Sequence, residues 1–241
     1  MPELGLSFGR VAALYEKVRP PYAPEALDRA QEALGLEPSA RVLDVGAGTG
    51  RLTRELSRRF AHVVAVEPDE RMRALNPSGE ALAGTAEAIP LEDASVDAVF
   101  VGEAMHWFDS ERAVPEIARV LRPGGGFARF SNAWWDTDPP LPARALELLR
   151  EPWVASGRSD AVETWREAFA HSAFEPLRDE EFPWELTVDA ATLLSLYQTT
   201  SSIAALPDAE REALVSELRP LLSGPYVLPI RVELTWTRLS R

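Results

Sequence analysis

Two short apolar runs, Arg41-Val42-Leu43-Asp44-Val45 and His62-Val63-Val64-Ala65-Val66-Glu67, flank the loop Gly46-Ala47-Gly48-Thr49-Gly50 and about ten residues of helical pattern at 51–60. A chain in this order has few ways to fold. Glycines at alternate positions after a buried strand let the backbone turn tightly, and let a ligand come closer than any side chain permits. Glu67 closes the next strand, 17 residues after Gly50. In dinucleotide-binding folds an acidic side chain at that place accepts hydrogen bonds from ribose hydroxyls. The loop alone is weak evidence; strand, loop, helix and a second strand ending in Glu at this spacing is far more specific.

The pattern continues along the chain. A helix is expected at 24–35, closed by Gly35, and another segment at 69–75 after Pro68. Short strands are expected at 81–84, 96–101 and 126–130, with a helix at 111–121 stopped by Arg122-Pro123-Gly124-Gly125-Gly126. Near-continuous apolar strands alternating with helices predict a parallel sheet covered on both faces. Beyond it, 141–171 reads as largely helical, 174–188 as a strand with a polar face, and 190–200 and 208–222 as helices. The last strand is Val227–Thr237, where Val232, Leu234 and Trp236 alternate.

Composition narrows the function. With 25 basic against 38 acidic side chains the net charge is −13. That argues against nucleic acid, where clustered Lys and Arg supply most of the affinity. There is no cysteine, which removes disulfides, thiol catalysis and cysteine-ligated zinc. No run approaches the ~18 apolar residues of a membrane span. The start of the chain has no basic segment leading an apolar one, so a cytoplasmic protein is expected. A phosphate loop ending in Gly-Lys-Ser/Thr and a His-Glu-x-x-His helix are both missing. The sole lysine is Lys17, and no Tyr-x-x-x-Lys pair exists, which removes the short-chain reductase pair.

Two details separate the possible ligands. The spacing is Gly-x-Gly-x-Gly, and Asp44 stands just before the loop. A carboxylate there repels a pyrophosphate and attracts a cation. S-adenosylmethionine offers an adenosine for Glu67, carries no phosphate, and bears sulfonium and ammonium charges.

At these residues the chain resembles the class I S-adenosylmethionine-dependent methyltransferases, in their small-molecule branch (type 11, trans-aconitate methyltransferase-like). The resemblance rests on Val42–Gly50, Val63–Pro68, Gly84-Thr85-Ala86-Glu87-Ala88-Ile89-Pro90, Ser95–Val99, Ala104-Met105-His106-Trp107-Phe108-Asp109 and Ala118–Gly125. It covers residues 8–131 closely and the last strand loosely. It implies an α/β fold: a Rossmann-like doubly wound sheet, mostly parallel with an antiparallel last strand, plus a helical cap insertion. By the same resemblance Asp44, Gly46, Ala47 and Gly48 line the methionine and ribose of the cofactor. Glu67 and Pro68 meet the ribose, Ala86 and Glu87 the adenine edge, and backbone near Gly102 the ammonium. The N-terminal segment, with Tyr15, Arg19 and Tyr22, is a lid in that family; the other reading is a helix packing its aromatics on the core.

The remaining candidates stay open. His106, after the fourth strand at the ligand-bearing edge, is either a substrate contact or general base, or a histidine packing beside Trp107 to orient the loop. Trp107, Trp134 and Trp135 either enclose cofactor and substrate or support the cap. Trp153, Trp165 and Trp184 are assigned to the cap, and His62 and His171 to surface or packing roles. Asn132 and Asp136 alone make no metal site, and none is expected.

The expectation is one domain over 1–241: lid helices at 1–38, cofactor core at 39–131, substrate-selecting cap at 134–225 and the final strand at 226–241. The expected activity is methyl transfer to a small-molecule acceptor through O, C or N, giving S-adenosylhomocysteine, by a monomer or homodimer with no nucleic-acid or membrane partner. The rival readings are a non-catalytic S-adenosylmethionine-binding protein and an NAD-type oxidoreductase.

Overall fold

Val42, Leu43 and Val45 are fully buried on the first strand, and their partners across the ladder, Val63, Val64, Ala98 and Val99, are as apolar as they are. A β-branched run bounded by a proline-containing turn and a glycine has one economical fate, a central strand of a covered parallel sheet. The computed structural model describes residues 9–77, 81–133, 141–155 and 164–240. Along the chain run α1 (Ala12–Val18), α2 (Pro24–Ala33), β1 (Arg41–Val45), α3 (Arg51–Ser57), β2 (His62–Val66), α4 (Glu70–Arg73), β3 (Ala81–Leu82) and β4 (Val96–Gly102). Then follow α5 (Ser110–Val120), β5 (Leu121–Ala133), α6 (Ala143–Ala155), α7 (Thr164–Ala170), β6 (Arg178–Val188), α8 (Ala190–Gln198), α9 (Ser201–Ala204), α10 (Asp208–Leu218) and β7 (Tyr226–Arg238).

The seven strands form one sheet in the order β3-β2-β1-β4-β5-β7-β6. The ladders joining β3, β2, β1, β4 and β5 are all parallel. The sheet carries one antiparallel pair, and the bridge Phe174–Leu239 beside β6 and β7 is antiparallel. The expected doubly wound, mostly parallel architecture is therefore the observed one. Because β1 has β2 on one side and β4 on the other, the chain reverses its winding at β1. Open α/β sheets keep their ligand crevice at this switch point, beyond the carboxyl ends of the strands.

By packing, the chain divides into two units. The first comprises Pro21–Asn132, Val162–Phe182 and Arg231–Arg241. Its core joins Leu43, Val45, Val66, Val99, Val101, Met105, Ile117 and Phe127 to Trp165 and Phe169 of α7. Trp165, expected in the cap, is thus a core residue of this sheet unit. The second comprises Met1–Pro20, Ala133–Ala161 and Pro183–Ile230, and buries Leu148 of α6, Leu193 and Leu196 of α8, Leu218 of α10, and Leu228 and Ile230. Trp184 packs on this second core.

Boundaries differ from the sequence expectation where local chemistry intervenes. β5 is longer than 126–130, because Leu121 already pairs with Val96 and a register shift between Val96 and Ala98 absorbs the Arg122–Gly125 segment as an irregularity in the ladder. The helix expected at 190–200 breaks at Thr200, which is extended, and α9 starts anew after it. Pro220 turns the end of the last helix into a short 3-10 segment, Arg219–Leu221.

Within the sheet unit one ion cluster pins the loop between β3 and β4. Arg119 donates to the carbonyls of Ile89 (3.0 Å) and Leu91 (2.8 Å) and pairs with Glu116 and Asp93, while Glu116 also accepts from Ile89 N–H (2.9 Å). These partners hold the Glu116 carboxyl below the usual carboxylate range, the Arg119 hydrogen bond being the largest cause. Removing Arg119 strips a donor from both carbonyls at once, leaving Ile89 only the N–H of Leu91 at 2.8 Å. Arg119→Ala is expected to cost about 1–3 kcal/mol in urea unfolding, with faster amide exchange concentrated at 85–93; unchanged exchange there would contradict the clamp.

Candidate functional site

The end of β1 holds a buried charge. Asp44 is 1% exposed, set opposite Ala65 of β2 and Phe100 of β4. Its Oδ2 accepts a hydrogen bond from the Thr53 hydroxyl at 2.6 Å, while Oδ1 is buried with no hydrogen-bond partner. Burial pushes the Asp44 carboxyl up to about 7; the Thr53 bonds pull it down, and the neighbouring Glu67 charge adds to the rise. A buried carboxylate oxygen without a donor is costly, and a cation or donor brought beside it is correspondingly welcome.

The glycine loop packs closely beyond the end of β1. Gly46 has φ +69°, and a Cβ there would stand 2.7 Å from that of Ala104. The N–H groups of Gly46 and Ala47 are both spent on the carbonyl of Val66, at 2.9 and 3.1 Å, which ties the loop to β2. Gly48 N–H is directed instead to Glu67 Oε2, at 2.8 Å. Glu67 Oε1 takes the N–H of Asp69 at 2.9 Å, so backbone donors fix the carboxylate plane from both sides. Each oxygen keeps a further lone pair for a ligand hydroxyl. Glu67 is 7% exposed, and its burial raises the carboxyl above its ordinary value against those two bonds. Arg73 grips the carbonyls of Glu67 and of exposed Pro68, while Asp69 caps α4.

The other edge of the crevice comes from the turns after β3 and β4. Ala86 is buried in the core, and Glu87 accepts from Asp109 N–H at 2.9 Å, fixing this turn to the start of α5. At the end of β4, Gly102 is approached so closely by the Tyr22 hydroxyl that a methyl group there would collide with it. Tyr22 is buried and meets Phe130 edge-on at 5.8 Å. His106 lies exposed on the turn Met105–Trp107, its ring 4.7 Å from that of Trp107, and Trp107 packs partly buried on the core. His62 and His171 are exposed, as expected of them.

In the helical unit, Tyr15 and Arg19 are together. The Arg19 guanidinium lies 4.8 Å over the Tyr15 ring, donates from Nε to the Thr199 hydroxyl at 2.9 Å, and also reaches the Thr199 carbonyl. Trp134, Trp135 and Asp136 lie outside the described residues. Among the described residues no group of three or more His, Asp or Glu converges as a metal site would, and no helix is long and apolar enough to cross a membrane.

Three residues of this site escaped the sequence reading. Thr53 and Asn76 extend the Asp44 bond into a chain, with Asn76 Nδ2 donating to Thr53 Oγ1 at 3.2 Å. Thr53 was findable, since it sits in the first helical turn after the loop, beneath the strand end. Glu103 has φ +57°, a conformation rare outside glycine and common at functional sites. Its N–H bonds the Phe130 carbonyl at 3.0 Å, and its carboxylate receives the N–H of Asn132. No residue-type signal marks a glutamate for that conformation.

Comparison with known proteins agrees with this geometry. Residues 43–128 match the family described as a methyltransferase domain. An uncharacterized methyltransferase of Mycobacterium tuberculosis is 39% identical over 227 residues, covering 92% of this chain and 87% of that one. A malonyl-[acyl-carrier protein] O-methyltransferase of Methylococcus capsulatus is 33% identical over 214 residues, covering 83% and 72%. Among solved structures, a type II methyltransferase structure from Anaeromyxobacter dehalogenans aligns with a TM-score of 0.63 at 21% identity, over 92% of this chain and 98% of that one. The [4+2]-cyclase SpnF aligns at 0.59 and 18% identity, over 99% and 96%. At such identities these two likenesses speak for the fold alone.

The buried Asp44 carboxyl carries a cost that depends on pH. The folded state binds a proton at Asp44 more readily than the unfolded chain, whose value is 3.8, so this group's stabilisation is complete below that value and lost as pH rises toward about 7. Asp44→Asn removes the ionisable group. Its melting temperature relative to the native protein is expected to be about 5 °C higher at pH 8 than at pH 5. A difference that stays constant across that range in thermal melts would contradict the burial argument.

Proposed function

This chain belongs to the S-adenosylmethionine-dependent class I methyltransferases, and we propose that it binds S-adenosylmethionine in the crevice at β1 and transfers the methyl group to a small-molecule acceptor. The observation that carries the reading is the buried Asp44 with an unpartnered oxygen, beside Glu67. Two carboxylates in a dry site fit a ligand that is cationic and carries a ribose, and they disfavour a pyrophosphate. When bound, the cofactor supplies a methyl group made electrophilic by its sulfonium.

The residues then divide the work. Asp44 faces the positive charge, with Gly46, Ala47 and Gly48 providing close backbone approach. Glu67, held by Gly48 and Asp69, accepts from the ribose hydroxyls, with Pro68 fixing the chain beyond it. Ala86 and Glu87 border the adenine, on the turn that Arg119 and Glu116 anchor. Backbone at Gly102 addresses the ammonium. What remains for catalysis is to hold a nucleophile in line and keep water out. We assign this to a lid formed by 1–38, with Tyr15, Arg19 and Tyr22, and to a cap over 134–225, with Trp107, Trp134 and Trp135 near the acceptor. Loops and insertions on a rigid sheet are where acceptor choice varies within one fold.

A carboxylate acceptor needs no base; a hydroxyl, amine or carbon acceptor does, and His106, exposed at the sheet edge, is the group assigned to it. One relative is named for methylating a malonyl group on a carrier protein, so carboxylic acids head the acceptor panel. Such a protein works without nucleic acid or metal, in the cytoplasm, as a monomer or homodimer.

Calorimetric titration with S-adenosylhomocysteine is expected to give saturable binding, while NADH gives none; the reverse would restore the oxidoreductase reading. With an acceptor found, His106→Asn is expected to leave S-adenosylhomocysteine affinity nearly intact. It should lower turnover by on the order of 10²-fold for a non-carboxylate acceptor. Equal turnover by both proteins would remove His106 from the chemistry.

A further inference from the structure

Asp44 has one oxygen satisfied and one buried without a hydrogen-bond partner, and the satisfied one depends on a single hydroxyl. Thr53 is fully buried in the first turn of α3, and its proton is committed to Asp44 Oδ2 at 2.6 Å. The commitment is enforced from the far side: Asn76 donates to the same hydroxyl oxygen at 3.2 Å, so the Thr53 hydroxyl accepts there and can only donate toward Asp44. Asn76, just past α4, in turn orients a hydroxyl that valine would match in shape and lack in function.

We infer that Thr53 is a positioning residue of the cofactor site: its hydroxyl, oriented by Asn76, holds Asp44 in its charged form and aims Oδ1 at the incoming cation. The inference rests on the S-adenosylmethionine reading above and adds a residue to it. The electrostatic setting makes the hydroxyl necessary. From β2, Glu67 faces Asp44 and opposes its ionisation, as burial does. The other charged groups on neighbouring elements do not compensate. Glu55 on α3 is engaged with Arg58 and Arg59, Asp97 on β4 pairs with Arg122, and neither these nor Arg51 and Arg54 of α3 number among the causes acting on Asp44. Hydrogen bonds from Thr53, by hydroxyl and by backbone, are the influences that lower it.

The sign of the effect follows. Below about pH 7 Asp44 takes up a proton and its attraction for a cation is lost; above it the charge is present. Affinity for a ligand bearing an ammonium therefore rises with pH through neutrality. Without the Thr53 hydroxyl the carboxyl titrates higher, and the rise moves to higher pH.

The test titrates S-adenosylhomocysteine into native protein, Thr53→Ser, Thr53→Val and Asp44→Asn between pH 5.5 and 9, with circular dichroism confirming the fold of each. Thr53→Ser is expected to overlay the native curve. Thr53→Val is expected to move its midpoint up by about one pH unit, the scale of one hydrogen bond to a charged group, with affinity at pH 7 lower by about fivefold and recovering above pH 8.5. Asp44→Asn should bind weakly at every pH. A folded Thr53→Val with an unmoved midpoint, or a serine variant as impaired as the valine one, would overturn the role of Thr53 and leave the cofactor reading standing. No binding by native protein at any pH would instead remove the cofactor reading itself. If Thr53→Val does not fold, Asn76→Ala serves, with a smaller shift in the same direction supporting the inference and an unmoved midpoint overturning it.

Discussion

The crevice of this protein is organised around a carboxylate placed where water cannot reach it. Asp44 is buried at the end of a central strand, opposite Ala65 and Phe100, with the Thr53 hydroxyl as its hydrogen-bond donor and a second acid nearby. The loop that follows is shaped to the same end, with amides drawn to β2 and Gly48 turned to Glu67, so two carboxylates face one space. Burying a carboxylate without a full set of donors lowers folding stability at this point.

Around that centre the sheet unit is held by contacts distant in sequence. Arg119 and Glu116 on α5 fasten the turn after β3, and Glu87 fastens the same turn to the residue before α5. Phe60, Phe100 and Phe130 form a row of rings at 6.0 and 6.4 Å that Tyr22 joins at its edge, carrying its hydroxyl to Gly102. The crevice walls are thereby extensions of the core rather than free loops, which suits a site whose work is positioning.

Much of this was legible in the sequence because it is written in local chemistry. Glycines at positions 46, 48 and 50, the acid before them and the acid closing β2 each demand a particular backbone or environment, and the chain met those demands where expected. The apolar strands and their order followed from the same kind of signal. What escaped was relational. Thr53 is an ordinary helix residue until Asp44 is seen beneath it, and Asn76 ordinary until Thr53 is. The early start of β5 depends on Leu121 meeting Val96 across a ladder irregularity, and the place of Trp165 in the sheet core depends on α7 returning to it. Such pairings carry no signature in either partner alone.

Glu103 carries a consequence of its own for how the chain tolerates drift. Its left-handed backbone and its carboxylate bond to Asn132 N–H are separate demands on one position. Glycine would relax the first and forfeit the second. Asparagine or aspartate suits the backbone but is one methylene shorter, and glutamine keeps the reach without the charge. Few substitutions satisfy both, so this residue is among the least free to wander as the rest of the edge diversifies toward new acceptors, and its replacement in a relative would signal that the ends of β4 and β5 had been rebuilt.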